Sequence, residues 1–146
     1  MERAEMLDLW NEQWREGNWV PSWPDSLAGV TAENAAWKPD DRTHSIWQEV
    51  VHTIFWRKAT LTIMDGGSSP SGEDVERLEF AAPEPPTEET WSATLSELEQ
   101  TQEAIAAAIQ DESKDVTRVP YHILHDAYHL GRITQLRRMQ GTEPKF

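Results

Sequence analysis

PYHILHDAYHLGRITQLRRMQG, residues 120–141, sets the helical reading of this chain. Proline is favoured in a helix's first turn, where its missing N–H would have no intrahelical partner. Ile123, Leu124, Ala127, Leu130, Ile133 and Leu136 follow at helical spacing and form an apolar set. Arg137 and Arg138 stand in the last turn, where the carbonyl end of a helix favours cations. Gly141 supplies the stop. The stretch predicts a helix from about Pro120 to Gln140. It also carries three of the chain's five histidines, His122, His125 and His129.

Three segments upstream show the same periodicity. Thr87-Glu88-Glu89 opens one, with Trp91, Leu95, Leu98, Ile105 and Ile109 as its stripe and Ala104 to Ala108 raising its helix propensity. Its acidic first turn suits the helix dipole, although Thr90 stands where a capping box would have Glu or Gln. A second runs from about Ser45 to Met64, with Ile46, Trp47, Val50, Val51, Ile54 and Leu61 on its apolar side and Thr43 or Ser45 as N-cap. A third covers about Glu2 to Arg15 through Met6, Leu7, Trp10 and Trp14, and stops at Gly17. Asn18 to Pro24 reads as loop, Asp25-Ser26 opens a short turn, and Thr31 to Trp37 is a short piece capped by Thr31. Gly66 to Gly72 is a Gly/Ser/Pro loop. Asp74 to Pro86 is acidic and proline-rich without a strong period, a segment expected to lie over the surface or across one end of the bundle. Asp111 to Arg118 is a polar connection. No alternating strand or hairpin turn appears. The expectation is an all-α chain, a four-helix bundle forming one domain over residues 1–146.

The charge balance excludes some partners. Thirteen Lys and Arg against 26 Asp and Glu give a formal −13, a surface that repels phosphate backbones and anionic lipid, so no nucleic acid and no membrane is expected as partner. No stretch approaches the roughly 20 apolar residues of a membrane span, and Met1 to Trp10 lacks the pattern of a signal peptide. The chain has no cysteine, which excludes disulfides, cysteine-ligated zinc and a cysteine nucleophile. A cytoplasmic location is the expectation. Of eight tryptophans, seven fall in the first 56 residues. Each is read first as a filler of wide core gaps with its N–H bonded to backbone, and second as a pocket wall.

The histidines carry the chemistry. On a helix, His125 and His129 return to within about 40° of one another, roughly 6 Å apart along the axis, so two imidazoles can share one ion. His122 and His125 form a rival pair, placed second because His122 lies at the helix start and is expected to be exposed. A third ligand must come from another helix. His52, flanked by Val50, Val51, Ile54, Phe55 and Trp56, is the candidate, because a buried imidazole needs a partner. Three histidines with an open position is the pattern of catalytic rather than structural zinc, and the open position can take water or a thiolate. Imidazole nitrogens equally suit nickel, copper and iron. Histidine pairs also arise by chance at this spacing, as core polar groups. His44 reads as an exposed or capping residue. There is no Ser-His-Asp arrangement, phosphate loop or paired-carboxylate signature.

Two segments resemble a known family. His44-Ser45-Ile46-Trp47-Gln48-Glu49-Val50-Val51-His52-Thr53-Ile54-Phe55-Trp56 is similar to the second-helix motif of the DinB-like superfamily, and His125-Asp126-Ala127-Tyr128-His129-Leu130-Gly131-Arg132-Ile133 to its last-helix motif. Thr31-Ala32-Glu33 and Trp37-Lys38-Pro39 resemble the approach to the second helix. The resemblance implies a four-helix bundle, often a homodimer, with His52, His125 and His129 as ligands of a divalent metal, zinc first and nickel, iron or manganese as alternatives. It implies that Gly131 permits close approach of a neighbouring helix. Arg132 departs from the glutamine of many members, and Tyr121 stands where some have another histidine. Related proteins include transferases and isomerases using low-molecular-weight thiols such as bacillithiol or mycothiol. The implied function is thus a metal-dependent thiol transferase acting on small electrophiles, with a non-catalytic, stress-related metal-binding bundle as the alternative. Glu49 and Asp126 can orient ligand histidines, but read first as solvated or paired surface groups, Asp126 pointing away from its neighbour His125. Arg132 reads as a surface or interface cation.

Overall fold

The computed structural model describes residues 1–144. Seven helices form in the order α1 (Arg3–Arg15), α2 (Trp23–Leu27), α3 (Ala32–Ala36), α4 (Ile46–Met64), α5 (Gly72–Leu78), α6 (Glu88–Gln110) and α7 (Val119–Gln140). The described residues contain no strand. Helices α1, α4, α6 and α7 are the four that periodicity predicts. Helix α5 falls in the stretch expected to lack regular structure. It buries no side chain, so it has no apolar stripe to read. Ser71 starts it by accepting from Asp74 N–H.

The ends of the long helices follow from local hydrogen bonding. Ser45 caps α4, its hydroxyl accepting from Gln48 N–H while Gln48 Oε1 accepts from Ser45 N–H. At α6 the missing glutamate is replaced by a threonine: Thr90 Oγ1 accepts from Thr87 N–H at 3.1 Å. Gly17, which ends α1, has φ +73°, and a Cβ there would collide with the Val20 carbonyl. Truncating Ser45 to alanine is expected to cost about 1 kcal/mol of stability, read as a shift of the urea midpoint without a change of slope.

Helix α4 packs on α6 and α7, and α1 packs on the same two helices. The core divides into two apolar clusters. One includes Trp23, Leu27, Ile46, Trp47, Val50, Trp91, Leu98, Leu130 and Ile133. The other joins Met6, Trp10, Met64, Ile105, Ile109 and Val119 at the opposite ends of the long helices. Trp10, Trp23, Trp47 and Trp91 thus fill the core as expected, whereas Trp19 is 98% exposed. Trp47 donates to Thr94 Oγ1, Trp91 to the Val30 carbonyl and Trp10 to the Gln102 carbonyl.

The predicted apolar set of α7 needs correction in its first half. Leu124 is 69% exposed, and the residues facing inward there are His122, Asp126 and His129. Val119 and Ile123 pack into the second cluster at the helix start, and Leu130, Ile133 and Leu136 turn the apolar side to the core in its second half. Polar groups occupy core positions of α7 because they meet polar partners on α4. No described helix is long and apolar enough to cross a membrane.

Candidate metal centre

Helix α4 contributes His52, and α7 contributes His125 and His129. His52 Nε2 lies 3.0 Å from His125 Nε2, and His129 Nε2 lies 3.1 Å from the same atom. The ligand atoms of the trio all lie within 4.8 Å of one another. An imidazole nitrogen has one in-plane position, either a lone pair or an N–H. His125 Nε2 therefore cannot satisfy both neighbours by hydrogen bonding. Three lone pairs directed at one cation do satisfy all three. A metal–nitrogen distance of about 2.0–2.1 Å in a tetrahedral site sets its nitrogens roughly 3.3 Å apart, close to the two spacings from His125. The donor set fits a divalent ion without choosing among zinc, nickel, copper and iron.

The atoms behind the trio prepare it for that role. Glu49 is fully buried and accepts from His129 Nδ1 and, at 2.6 Å, from Arg132 Nε. A proton held on Nδ1 leaves Nε2 with its lone pair. Burial pushes the Glu49 carboxyl up, but the bonds from His129 and Arg132 outweigh it and hold the group below its ordinary range. Glu79 Oε2 lies 3.3 Å from His52 Nδ1 and accepts from Trp56 Nε1. Phe80 stacks on the His52 ring at 4.4 Å, with His44 on Phe80 at 3.6 Å. Burial, reinforced by His129 and His125, pushes His52 down to about 3, so the ring is neutral at physiological pH. A cleft of about 760 Å³ opens beside His52 and His125.

Replacing Glu49 by glutamine removes the charge that holds His129 Nδ1–H. Zinc affinity is expected to fall by about 10–100-fold, measured by competition with a chromophoric chelator. An unchanged affinity would show that Glu49 does not prepare the ligand.

Several expectations about neighbouring residues are overturned. His122 is not exposed: it is 7% accessible, its Nε2 lies 2.6 Å from Thr60 Oγ1, and burial pushes it down to about 4. The helix start is covered there by α4. His122, His125 and Asp126 form a second close set of ligand atoms. Glu49 and Asp126 are fully buried rather than solvated. Asp126 pairs with Arg57 at 2.5 Å, and its Oδ1 stands 3.8 Å from His125 Nδ1, beyond hydrogen-bond reach. Arg132 is engaged by Glu49 rather than free at the surface. A Cβ on Gly131 would meet nothing within 4 Å, so no helix approaches closely there. His44 is half-buried against Phe80. Glu79 and Phe80 escaped the sequence reading because they follow α5 in a stretch without period. Phe80, a lone aromatic in an acidic run, was the available signal.

Residues 22–139 match the DinB superfamily. The chain belongs to the DinB superfamily. The match spans α2 to the end of α7 and includes every residue of the histidine cluster, leaving α1 outside it. No curated protein and no solved structure matches this DinB chain. Superfamily membership establishes kinship, and the reaction must be argued from the site.

Proposed function

We propose that this DinB chain is a single-domain four-helix bundle of the superfamily's type, that His52, His125 and His129 hold one divalent ion, and that the site transfers a small thiol to an electrophile. The observation that carries the reading is the close grouping of the three imidazoles, with His52 Nε2 and His129 Nε2 at 3.0 and 3.1 Å from His125 Nε2 and all ligand atoms within 4.8 Å of one another. Zinc comes first because three nitrogens with an open fourth position suit it; nickel, iron or manganese are the alternatives. Such an ion, when bound, lowers the pKa of a thiol at its open position.

The chain's own residues hold the ligands and shape the approach. Glu49 fixes the tautomer of His129, and Arg132 holds Glu49. Glu79 stands behind His52, and Phe80 covers one face of its ring. The cleft gives substrates access from the side of His52 and His125. In the transfer, sulfur forms a bond to the electrophilic carbon, the leaving group departs with its bonding pair, and the thiol proton goes to solvent. Exposed Leu124 and Tyr128 on α7 suit a homodimer, and the absence of cysteine suits a reducing cytoplasm.

Metal analysis of protein purified without a histidine tag tests the site. Near-stoichiometric metal is expected in the parent, with loss in His52→Ala and His129→Ala. Near-zero metal in the parent would sink the reading. Thiol consumption in the presence of an electrophile then tests the reaction. Metal without thiol-dependent turnover across several thiols would favour the non-catalytic, stress-related binder.

A further inference from the structure

The cleft beside the histidines carries an unpaired cation in a strongly acidic chain. Its lining includes one guanidinium, Arg118, and one carboxylate, Glu79. Glu79 is already engaged by Trp56 and faces His52. Arg118 makes no ion pair among the described residues; the arginines that do are Arg57, Arg77, Arg132 and Arg138. Arg118 is also the N-cap residue of α7, a helix start with no side-chain cap and no acid in its first turn. The positive end of the helix dipole therefore adds to the guanidinium at that end of the cleft. His122 lines the same cleft but is buried against Thr60, so it offers no free polar atom there. Arg118 stands seven residues before His125, about 10 Å along the helix axis. Trp56 and Tyr121 contribute aromatic surface to the lining.

We propose that this cleft binds an organic carboxylate with an apolar or aromatic body, the carboxylate on Arg118 and the far end beside the Nε2 atoms of His52 and His125. The assignment rests on the reading above for the identity of the histidine end as the reactive end. A guanidinium takes a carboxylate through paired, charge-assisted hydrogen bonds. The net charge of −13 repels anions from most of the surface, so an anion that binds does so where a cation is unpaired. The aromatic walls favour a flat or apolar body over an inorganic anion.

Hydrocinnamate and its uncharged amide separate charge from shape. Calorimetric titration of metal-free and zinc-loaded protein with each is the test, repeated on Arg118→Gln, a change at an exposed side chain. Saturable binding of the acid, about tenfold tighter than the amide, is expected in the metal-free protein, where zinc cannot supply the anion's partner. Arg118→Gln is expected to abolish that preference, bringing the acid to the level of the amide. Equal binding of acid and amide, no binding of the acid, or a preference that survives Arg118→Gln would overturn the assignment. Zinc uptake without carboxylate preference would overturn this proposal alone. Carboxylate preference in a protein that takes up no zinc would sink the thiol-transfer reading and leave Arg118 as an anion site.

Discussion

Replacing Arg57 by methionine is expected to lower the unfolding free energy near neutral pH by about 3–5 kcal/mol, because it strands a buried carboxylate. Arg57 and Asp126 are both fully buried. The guanidinium donates to Asp126 Oδ2 at 2.5 Å and to Thr101 Oγ1 at 3.3 Å. It lies over the ring of Trp10 at 4.5 Å and faces that of Trp23 at 5.6 Å. Those tryptophans belong to the two different apolar clusters, so one cation ties α4 and α7 together between them. Methionine retains most of the apolar stem, so charge rather than volume is lost. Burial raises the Asp126 carboxyl, and Arg57 outweighs it to hold the folded-state value below the ordinary one. The pair's stabilisation is therefore complete above the unfolded-state pKa of about 3.9 and is lost as pH falls through the lower folded value. In the variant the sign reverses, since burial alone raises Asp126. The difference between parent and variant should narrow toward acid pH in chemical denaturation. The double variant Arg57→Met, Asp126→Leu should recover most of the loss, because apolar replacement of a buried pair is often neutral or stabilising. A single variant as stable as the parent would refute the role given to this pair.

The same pair marks the boundary of what the sequence could reveal. Periodicity found α1, α4, α6 and α7 because each carries apolar residues at helical steps over many turns. Periodicity reads residue type and equates polar with outward, so it places Leu124 inside and Asp126 at the surface, where the fold does the reverse. In α7 the polar residues His122, Asp126 and His129 face α4, and their partners Thr60, Arg57 and Glu49 lie between 69 and 80 residues away in sequence for the last two and 62 for the first. Local pattern carries no record of such pairings. His125 and His129 were legible as a pair from their spacing alone. His52 required the motif around it, and Glu79 with Phe80 required the path of a segment that has no period. The tryptophans divide in the same way: their type predicts burial, and Trp19 at 98% exposure has no partner element to cover it.

Zinc loading should raise stability by about 4 kcal/mol when free metal exceeds its dissociation constant roughly a thousandfold, since an ion that binds only the folded state adds its binding free energy to folding. The three nitrogens meet only when α4 and α7 are packed, so the unfolded chain offers no comparable site. Differential scanning with and without a chelator reads the effect as a shift in midpoint. His125→Ala should abolish the shift, because its Nε2 neighbours both other ligands. His122→Ala should lower the baseline midpoint, by removing a buried ring bonded to Thr60, yet keep the zinc-dependent shift. Loss of the shift in His122→Ala as well as in His125→Ala would move the site to the set formed by His122, His125 and Asp126. Acidification acts in the same direction as chelation. Burial holds His122 at about 4, below the ordinary 6.5, so an unfolded chain takes up the proton first as pH falls and folding stability is lost across that window. In metal-free His122→Ala that part of the acid sensitivity should vanish.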